Sequence, residues 1–279
     1  MVSWFDQELA RWVIGIIAAS LIALAAWRAG ALAPSGAAAA IVTGAVLVGG
    51  AGWWAGVLLV VFFVSSSALS QTGKRRAGDL LQGRGSRRDA VQVLANGGIA
   101  VLCAIGFIVS DDGIWIVALA TSLAAANADT WATEIGRLSG QRPRSIVTLR
   151  SVPAGTSGGV SFPGTIAAFA GAALIGIVAN AGWSNSWLSL PAAESNLAQL
   201  LMIVVGCGFA GSLIDSLLGA TVQGQFRCPT CDVITESRIH TCGTPTVRVR
   251  GLAWITNDVV NIAAVGIAAG LALWLCTRA

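Results

Sequence analysis

Charged side chains are scarce in this chain, making up 11% of its 279 residues, against about 25% in an ordinary soluble domain. Hydrophobic residues make up 55% and the mean hydropathy is +0.76. Most of the chain therefore requires apolar surroundings, which argues against a soluble globular domain. The period-two alternation of a barrel strand is absent as well. Helices are then the remaining way to satisfy every backbone polar group inside a bilayer. Met1 to Glu8 hold no basic residue, so a cleaved signal peptide is not expected. No convincing repeat relates the two halves, which argues against a transporter built from inverted repeats. The net charge of +4 is a matter of topology here, and no nucleic-acid partner is expected.

What the chain does have is long apolar runs. A spanning helix needs roughly 20 mostly apolar residues. Eight runs qualify: Arg11–Trp27, Ala33–Gly50, Trp53–Ser70, Ala90–Val109, Gly113–Thr133, Val160–Ala181, Leu197–Ala220 and Leu252–Cys276. The expected fold is all-α, a polytopic transmembrane bundle of about eight spans in a single membrane domain, 1–279. The 34 glycines suit close helix packing in lipid. The turns Gly50-Ala51-Gly52 and Ser110-Asp111-Asp112-Gly113 separate neighbouring spans.

Lys and Arg accumulate on the cytoplasmic side of membrane proteins. With these spans, one side carries Arg28 and the cations of three loops, 71–89, 134–159 and 221–251, whereas the other carries only Arg11 and Arg278. This asymmetry predicts a multi-pass protein of the cell membrane. Both termini would lie outside and the three loops in the cytoplasm. The tryptophans agree, since all lie at or just beyond span ends, where aromatic residues favour the interface.

Ionisable residues within spans are costly and usually functional. Four stand out: Asp129 and Glu134 at the end of the fifth span, Asp215 late in the seventh and Asp258 early in the eighth. All four fall near the predicted cytoplasmic face, together with the amides Gln92, Asn96, Asn127, Asn257 and Asn261. Helical spacing groups them. Asp89, Gln92 and Asn96 share a face; Asn127, Thr130 and Glu134 share a stripe; Asp129 and Thr133 share the neighbouring one. The expectation is one acidic cavity open to the cytosol, with capping of helix ends as the bland alternative. Hard oxygen ligands of this kind suit Mg²⁺ beside substrate phosphates.

Three loop features add to this. Arg150 opens a segment rich in Gly, Ser and Thr, including Gly155, Thr156, Ser157, Gly158 and Gly159, that leads into a helix N-terminus. Such a terminus can hold an anion, although the segment lacks the Walker pattern and also reads as a plain flexible turn. Lys74, the single lysine, and Arg88 lie in the basic first loop as candidate phosphate contacts. That loop equally suits contact with anionic lipid head groups. In the 221–251 loop, Cys228, Cys231, His240 and Cys242 offer four thiol or imidazole ligands. They match a closed structural zinc site, with a redox pair or a metal-free turn as the other readings.

These residues make the chain resemble a known family. The stretches are 88–98, Ala128-Asp129-Thr130-Trp131-Ala132-Thr133-Glu134-Ile135-Gly136, the 152–159 loop, Gly211–Ser216 and Asn257–Asn261. They resemble the transmembrane protein 19 family, also called domain of unknown function 92, which includes plant phytyl-phosphate kinase. Thr133 stands where Ser is usual and keeps the hydroxyl. The resemblance implies a nucleotide-dependent kinase, with CTP as donor, that converts an isoprenyl monophosphate to the diphosphate. By the same analogy Asp129 and Glu134 belong to the metal and nucleotide site, with Asp215 and Asp258 as further candidates to assist. The 155–159 loop then binds phosphate; apart from the analogy, the expected mechanism places the magnesium ion on Asp129 together with Asp215 or, as the alternative, Asp258. A lipid cytidylyltransferase and a membrane transporter or scramblase are the competing readings.

Overall fold

A computed structural model describes residues 4–77, 87–190 and 196–278. Among these are eight helices: α1 (Trp4–Arg28), α2 (Pro34–Ala51), α3 (Trp53–Ala77), α4 (Ala90–Ser110), α5 (Ile114–Leu138), α6 (Phe162–Ser184), α7 (Leu197–Thr221) and α8 (Asn257–Cys276). Between them lie two small antiparallel sheets. One pairs β1 (Arg144–Ser145) with β2 (Gly159–Val160); the other orders β3 (Gln225–Arg227), β4 (Ile234–Thr235) and β5 (Val247–Arg250) as β4-β3-β5.

Each of the eight expected spans corresponds to a helix. The turns form where the backbone allows them. Gly52 links α2 to α3 at φ +91, and Asp111 ends α4 at φ +55. The last helix starts at Asn257 rather than Leu252, because the Thr256 hydroxyl caps it by accepting from the Val259 N–H at 3.4 Å. At the other extreme, α5 runs on to Leu138, so Glu134 and Arg137 sit on a helix rather than in a loop. The 221–251 segment is likewise no plain loop, since it carries the β4-β3-β5 sheet.

Helix α5 is the axis of the bundle, packed against α3, α4, α6, α7 and α8. Every residue from Ile116 to Ala128 is buried. The other seven helices are long and apolar enough to cross a membrane. Because α5 is walled by its neighbours over this stretch, it can afford polar residues such as Thr121 and Ser122, whose hydroxyls bond to the Val117 and Leu119 carbonyls of their own helix. Small residues let the walls close in. A Cβ on Gly208 or Gly211 of α7 would come within 2.7 Å of the Ala124 or Ala125 methyl of α5, the small-residue packing expected in lipid.

Asn127 bolts this core together. Its side-chain oxygen accepts from the Ser65 and Ser66 hydroxyls of α3 at 3.0 and 3.1 Å, and its Nδ2 donates to the Gly171 carbonyl of α6 at 2.8 Å. Asn127 is fully buried and makes three hydrogen bonds to its flanking helices, so its amide ties α3, α5 and α6 together. Asn127→Leu strands groups that cost about 1–3 kcal/mol each when buried unpaired. The apparent melting temperature in detergent should fall by several degrees, at roughly 2–4 °C per kcal/mol.

Candidate active site at the basic end of the bundle

Helix α5 presents two different polar stripes to two different neighbours. Asp129, Ala132, Thr133, Gly136 and Arg137, spaced as i, i+3, i+4, i+7 and i+8, line a cavity of about 720 Å³. Asn127, Trp131 and Glu134 turn towards α3. The Trp131 indole N–H donates to the Ser65 hydroxyl at 3.4 Å, and the Ser70 hydroxyl donates to Glu134 Oε1 at 2.8 Å. Asp129 and Glu134, adjacent in the motif, therefore face apart. Five residues at about 100° each leave them some 140° apart around the helix. This corrects the expectation that both carboxylates share one site.

The opposite wall comes from α7 and α8. Ser212, Asp215, Ser216 and Gly219 repeat the helical spacing along the cavity, and Asn257 enters from the start of α8. Behind them a second hollow of about 10 Å³, room for one water, is lined by Asn96, Asp129, Asp215 and Asn261 among others. With its amide oriented to satisfy both atoms, Asn261 donates to Asp215 Oδ2 at 2.8 Å and accepts from Asn257 Nδ2 at 3.3 Å. Asp129 and Asp215 thus line both spaces.

The roof is the 151–161 loop. Gly155 and Gly158 both have positive φ, +84 and +77. Gly158 lies so close to Ala220 of α7 that a Cβ would collide with its backbone, whereas the space around Gly155 is open. The amides of Thr156 and Gly159 are already engaged, donating to the Pro153 and Thr156 carbonyls. Beyond the loop, Ser161 caps α6 by accepting from the Gly164 N–H at 3.2 Å, so a helix N-terminus also borders the cavity. Ala168 and Leu213 form an apolar part of the lining between α6 and α7.

Several residues that line the cavity or hold its roof carried no distinct signal as ligands in the sequence. Arg137 and Arg142 line the cavity but counted there only as positive-inside charge. Glu236 reaches in from beyond β4: its Oε1 accepts from the Ser157 hydroxyl at 2.9 Å and from Gln223 Nε2 at 2.8 Å. Arg250, at the end of β5, donates through Nη2 to the Gly219 carbonyl at 3.1 Å and to the Ser157 carbonyl at 3.4 Å.

Other expected site residues lie elsewhere. Asp89 and Gln92 form a capping box at the start of α4: the Gln92 N–H donates to Asp89 Oδ1 at 3.0 Å and the Asp89 N–H to Gln92 Oε1 at 3.3 Å. Arg88 pairs through its backbone with Ala31 and Ala33, and its guanidinium lies 5.9 Å from the Phe63 ring. Burial lowers its pKa from the usual range, and the charge of Glu134 opposes that shift. Thr130 bonds back to the Ala126 carbonyl of its own helix. Arg150 and Asp258 do not line either cavity; Asp258 sits in the first turn of α8. Lys74 falls near the end of α3, and its side chain lies outside the described residues.

The cysteine and histidine residues of the 221–251 segment do converge. The ligand atoms of Cys228, Cys231, His240 and Cys242 all lie within 4.8 Å of one another. Hydrogen bonding to Thr244 and then His240 holds the Cys242 thiol down to about 5, while its bond to Cys242 pushes the Cys231 thiol up to about 11.

Comparison with known proteins bears on the whole of this architecture. No solved structure matches the chain. Protein PGR of Arabidopsis thaliana is 33% identical over 218 residues, covering 72% of this chain and 74% of the plant protein. An uncharacterised membrane protein of Methanocaldococcus jannaschii is 34% identical over 137 residues, covering 49% of this chain and 52% of the archaeal one. An uncharacterised membrane protein of Synechocystis is 25% identical over 173 residues, covering 60% of this chain and 63% of that one. Residues 17–269 match the family described as Integral membrane protein DUF92. This match takes in all of α2 to α7 and both sheets, so the chain belongs to the DUF92 family of integral membrane proteins.

Proposed function

We propose that this protein is a phosphotransferase that moves the terminal phosphoryl group of a nucleoside triphosphate, CTP by the resemblance, onto an isoprenyl monophosphate. The observation that carries this reading is the lining of one cavity at the basic end of the bundle. Three carboxylates, those of Asp129, Asp215 and Glu236, meet there with two arginines, a glycine-rich loop and a helix N-terminus, beside an apolar stretch between two membrane helices. A volume of about 720 Å³ lies in the range of small-molecule sites, roughly 300–1,000 Å³.

The chemistry follows from these groups. Arg137 and Arg142 bind phosphate oxygens through charge-assisted hydrogen bonds. The 155–159 loop and the capped start of α6 add backbone dipoles to the same end. The isoprenyl tail leaves the cavity past Ala168 and Leu213 into the bilayer. Asp129 and Asp215 supply hard carboxylate oxygens of the kind that suit magnesium, and they would hold it, with the Asn261 amide donating to Asp215 Oδ2 from behind. The ion, when bound, neutralises charge on the donor phosphates. An oxygen of the acceptor monophosphate attacks the terminal phosphorus, and the bond to the bridging oxygen breaks. The nucleoside diphosphate departs with that oxygen, and the lipid leaves as its diphosphate. A phosphate monoester has its second pKa near 6, so the attacking oxygen needs no strong general base. Catalysis is then positioning plus charge stabilisation. The positive-inside asymmetry supports an orientation with this end of the bundle facing the cytoplasm, where the nucleotide is, and both termini outside.

Product analysis tests the reading. Purified protein in detergent, given Mg²⁺, labelled CTP or ATP and phytyl, geranylgeranyl or farnesyl monophosphate, is expected to yield isoprenyl diphosphate and nucleoside diphosphate. Pyrophosphate with a CMP–lipid adduct would instead make it a cytidylyltransferase. Lipid movement in proteoliposomes without nucleotide would make it a transporter or scramblase. Within the same assay, Glu134→Gln should keep activity within about fivefold, because that carboxylate bonds Ser70 on the far face of α5 and a net hydrogen bond is worth about 1 kcal/mol.

A further inference from the structure

The 225–250 sheet poses a stability problem of its own. Its strands contain two to four residues, too short for a lasting hairpin. Val233, Ile234, Ile239, Val247 and Val249 are all exposed, and only Phe226 and Cys228 supply buried apolar side chains between Phe226 and Arg250. Segments below about 40 residues without a core usually depend on disulfides, a metal or a partner.

The segment nevertheless closes on itself through two tight turns. After β3, the Cys228 N–H donates to the Val233 carbonyl and the Asp232 N–H to the Cys228 carbonyl, with Asp232 at φ +53. Between β4 and β5, the His240 N–H donates to the Thr244 carbonyl and the Gly243 N–H to the His240 carbonyl, with Gly243 at φ +83. These turns bring Cys228 Sγ to 3.6 Å from Cys242 Sγ, and His240 Nδ1 to 3.1 Å from the same sulfur. A disulfide requires about 2.05 Å. A tetrahedron of ligands around zinc, with Zn–S near 2.3 Å and Zn–N near 2.0 Å, has edges of roughly 3.5–3.8 Å. Three sulfurs and one imidazole are a soft, complete set that leaves no open position.

We propose that Cys228, Cys231, His240 and Cys242 bind one structural zinc ion, and that this ion braces the sheet holding the cavity roof. The load path is short. From the metal site, β4 leads directly to Glu236, which takes the Ser157 hydroxyl and the Gln223 amide. β5 leads to Arg250, which takes the Ser157 and Gly219 carbonyls. At the base, the Gly224 N–H donates to the Ile255 carbonyl, and the chain crosses itself at Gly251, φ +68, against Gln223. Loss of the ion frees both hairpins and with them both anchors of the loop.

The test measures metal and loop mobility, not phosphoryl transfer, so its outcome is separable from that of the proposed reaction. Full-length protein purified without chelator should hold close to one zinc per chain by mass spectrometry of metals. Cys231→Ser with His240→Asn should fall to background, and Cys276→Ser, outside the cluster, should not. Cobalt exchanged into the wild type should give the intense visible absorption of tetrahedral thiolate coordination, a readout that does not depend on any variant folding. Chelation should raise proteolytic cleavage in the 152–159 loop of the wild type to the level of Glu236→Ala. Zinc at background together with no cobalt spectrum overturns the metal site, as does zinc unchanged in the double variant. Iron in place of zinc overturns the choice of metal, and unchanged loop cleavage on zinc loss overturns the bracing role.

Discussion

Asp129→Asn is expected to lower turnover by about a thousandfold or more while leaving a folded, detergent-stable protein. Each tenfold is 1.36 kcal/mol of barrier, and losing a carboxylate that holds a divalent ion beside reacting phosphates removes several kcal/mol of charge stabilisation. The substitution keeps the shape and a hydrogen-bonding oxygen, so packing between α5 and α7 should survive. Asp129 lines both the large cavity and the small hollow behind it, and its loss cannot be made good by Glu134 on the other face. The loss should appear in kcat, since ground-state nucleotide contacts from Arg137, Arg142 and the loop remain. A folded Asp129→Asn protein with wild-type turnover would remove this residue from the mechanism.

Gly158→Ala should be the most damaging of the loop substitutions. A non-glycine residue in the left-handed region costs roughly 1–2 kcal/mol, and here the added methyl also meets the Ala220 backbone of α7. The loop must lift from the helix, taking with it the Ser157 contacts to Glu236 and Arg250. A displacement of about 1 Å in a positioning element can cost roughly a hundredfold in rate. We expect a loss of that order in kcat/KM, with a fall in thermal stability. Gly155→Ala is the matched control, because its φ is also positive but nothing stands within 4 Å of the added carbon. It should show the strain without the displacement. Equal effects of the two substitutions, measured by kcat/KM and thermal unfolding, would contradict the packing argument.

Much of this architecture is legible in the sequence. The eight apolar runs, their turns and the one-sided distribution of arginine are composition-level signals, and each run corresponds to a helix. The division of α5 into two stripes also follows from spacing alone. What spacing does not supply is which neighbour each stripe meets. The motif around Asp129 reads as a unit along the chain, yet the helix turns Glu134 towards α3. Asp89 and Gln92 had a visible second meaning, since Asp-x-x-Gln before an apolar run is a capping pattern, and the structure uses it so. Asn127 groups with the site in the sequence because it falls near the same face as the carboxylates and shares a stripe with Glu134; its partners are Ser65, Ser66 and Gly171 on the flanking helices. Glu236 and Arg250 were beyond reach, because they meet Ser157 across 79 and 93 residues through strands too short to register as periodic patterns.

In the proposed reaction, the cavity between α5, α6 and α7 transfers a nucleotide phosphoryl group to a lipid phosphate. The most direct measurement follows the terminal phosphate label of CTP or ATP into isoprenyl diphosphate with wild type, Asp129→Asn, Asp215→Asn and Glu134→Gln proteins side by side. Mg²⁺-dependent label is expected in the lipid diphosphate for the wild type and Glu134→Gln, with its collapse in both aspartate variants. No labelled diphosphate from the wild type with any donor and acceptor pair would contradict the reaction. Labelled product that persists in both folded aspartate variants would contradict the site.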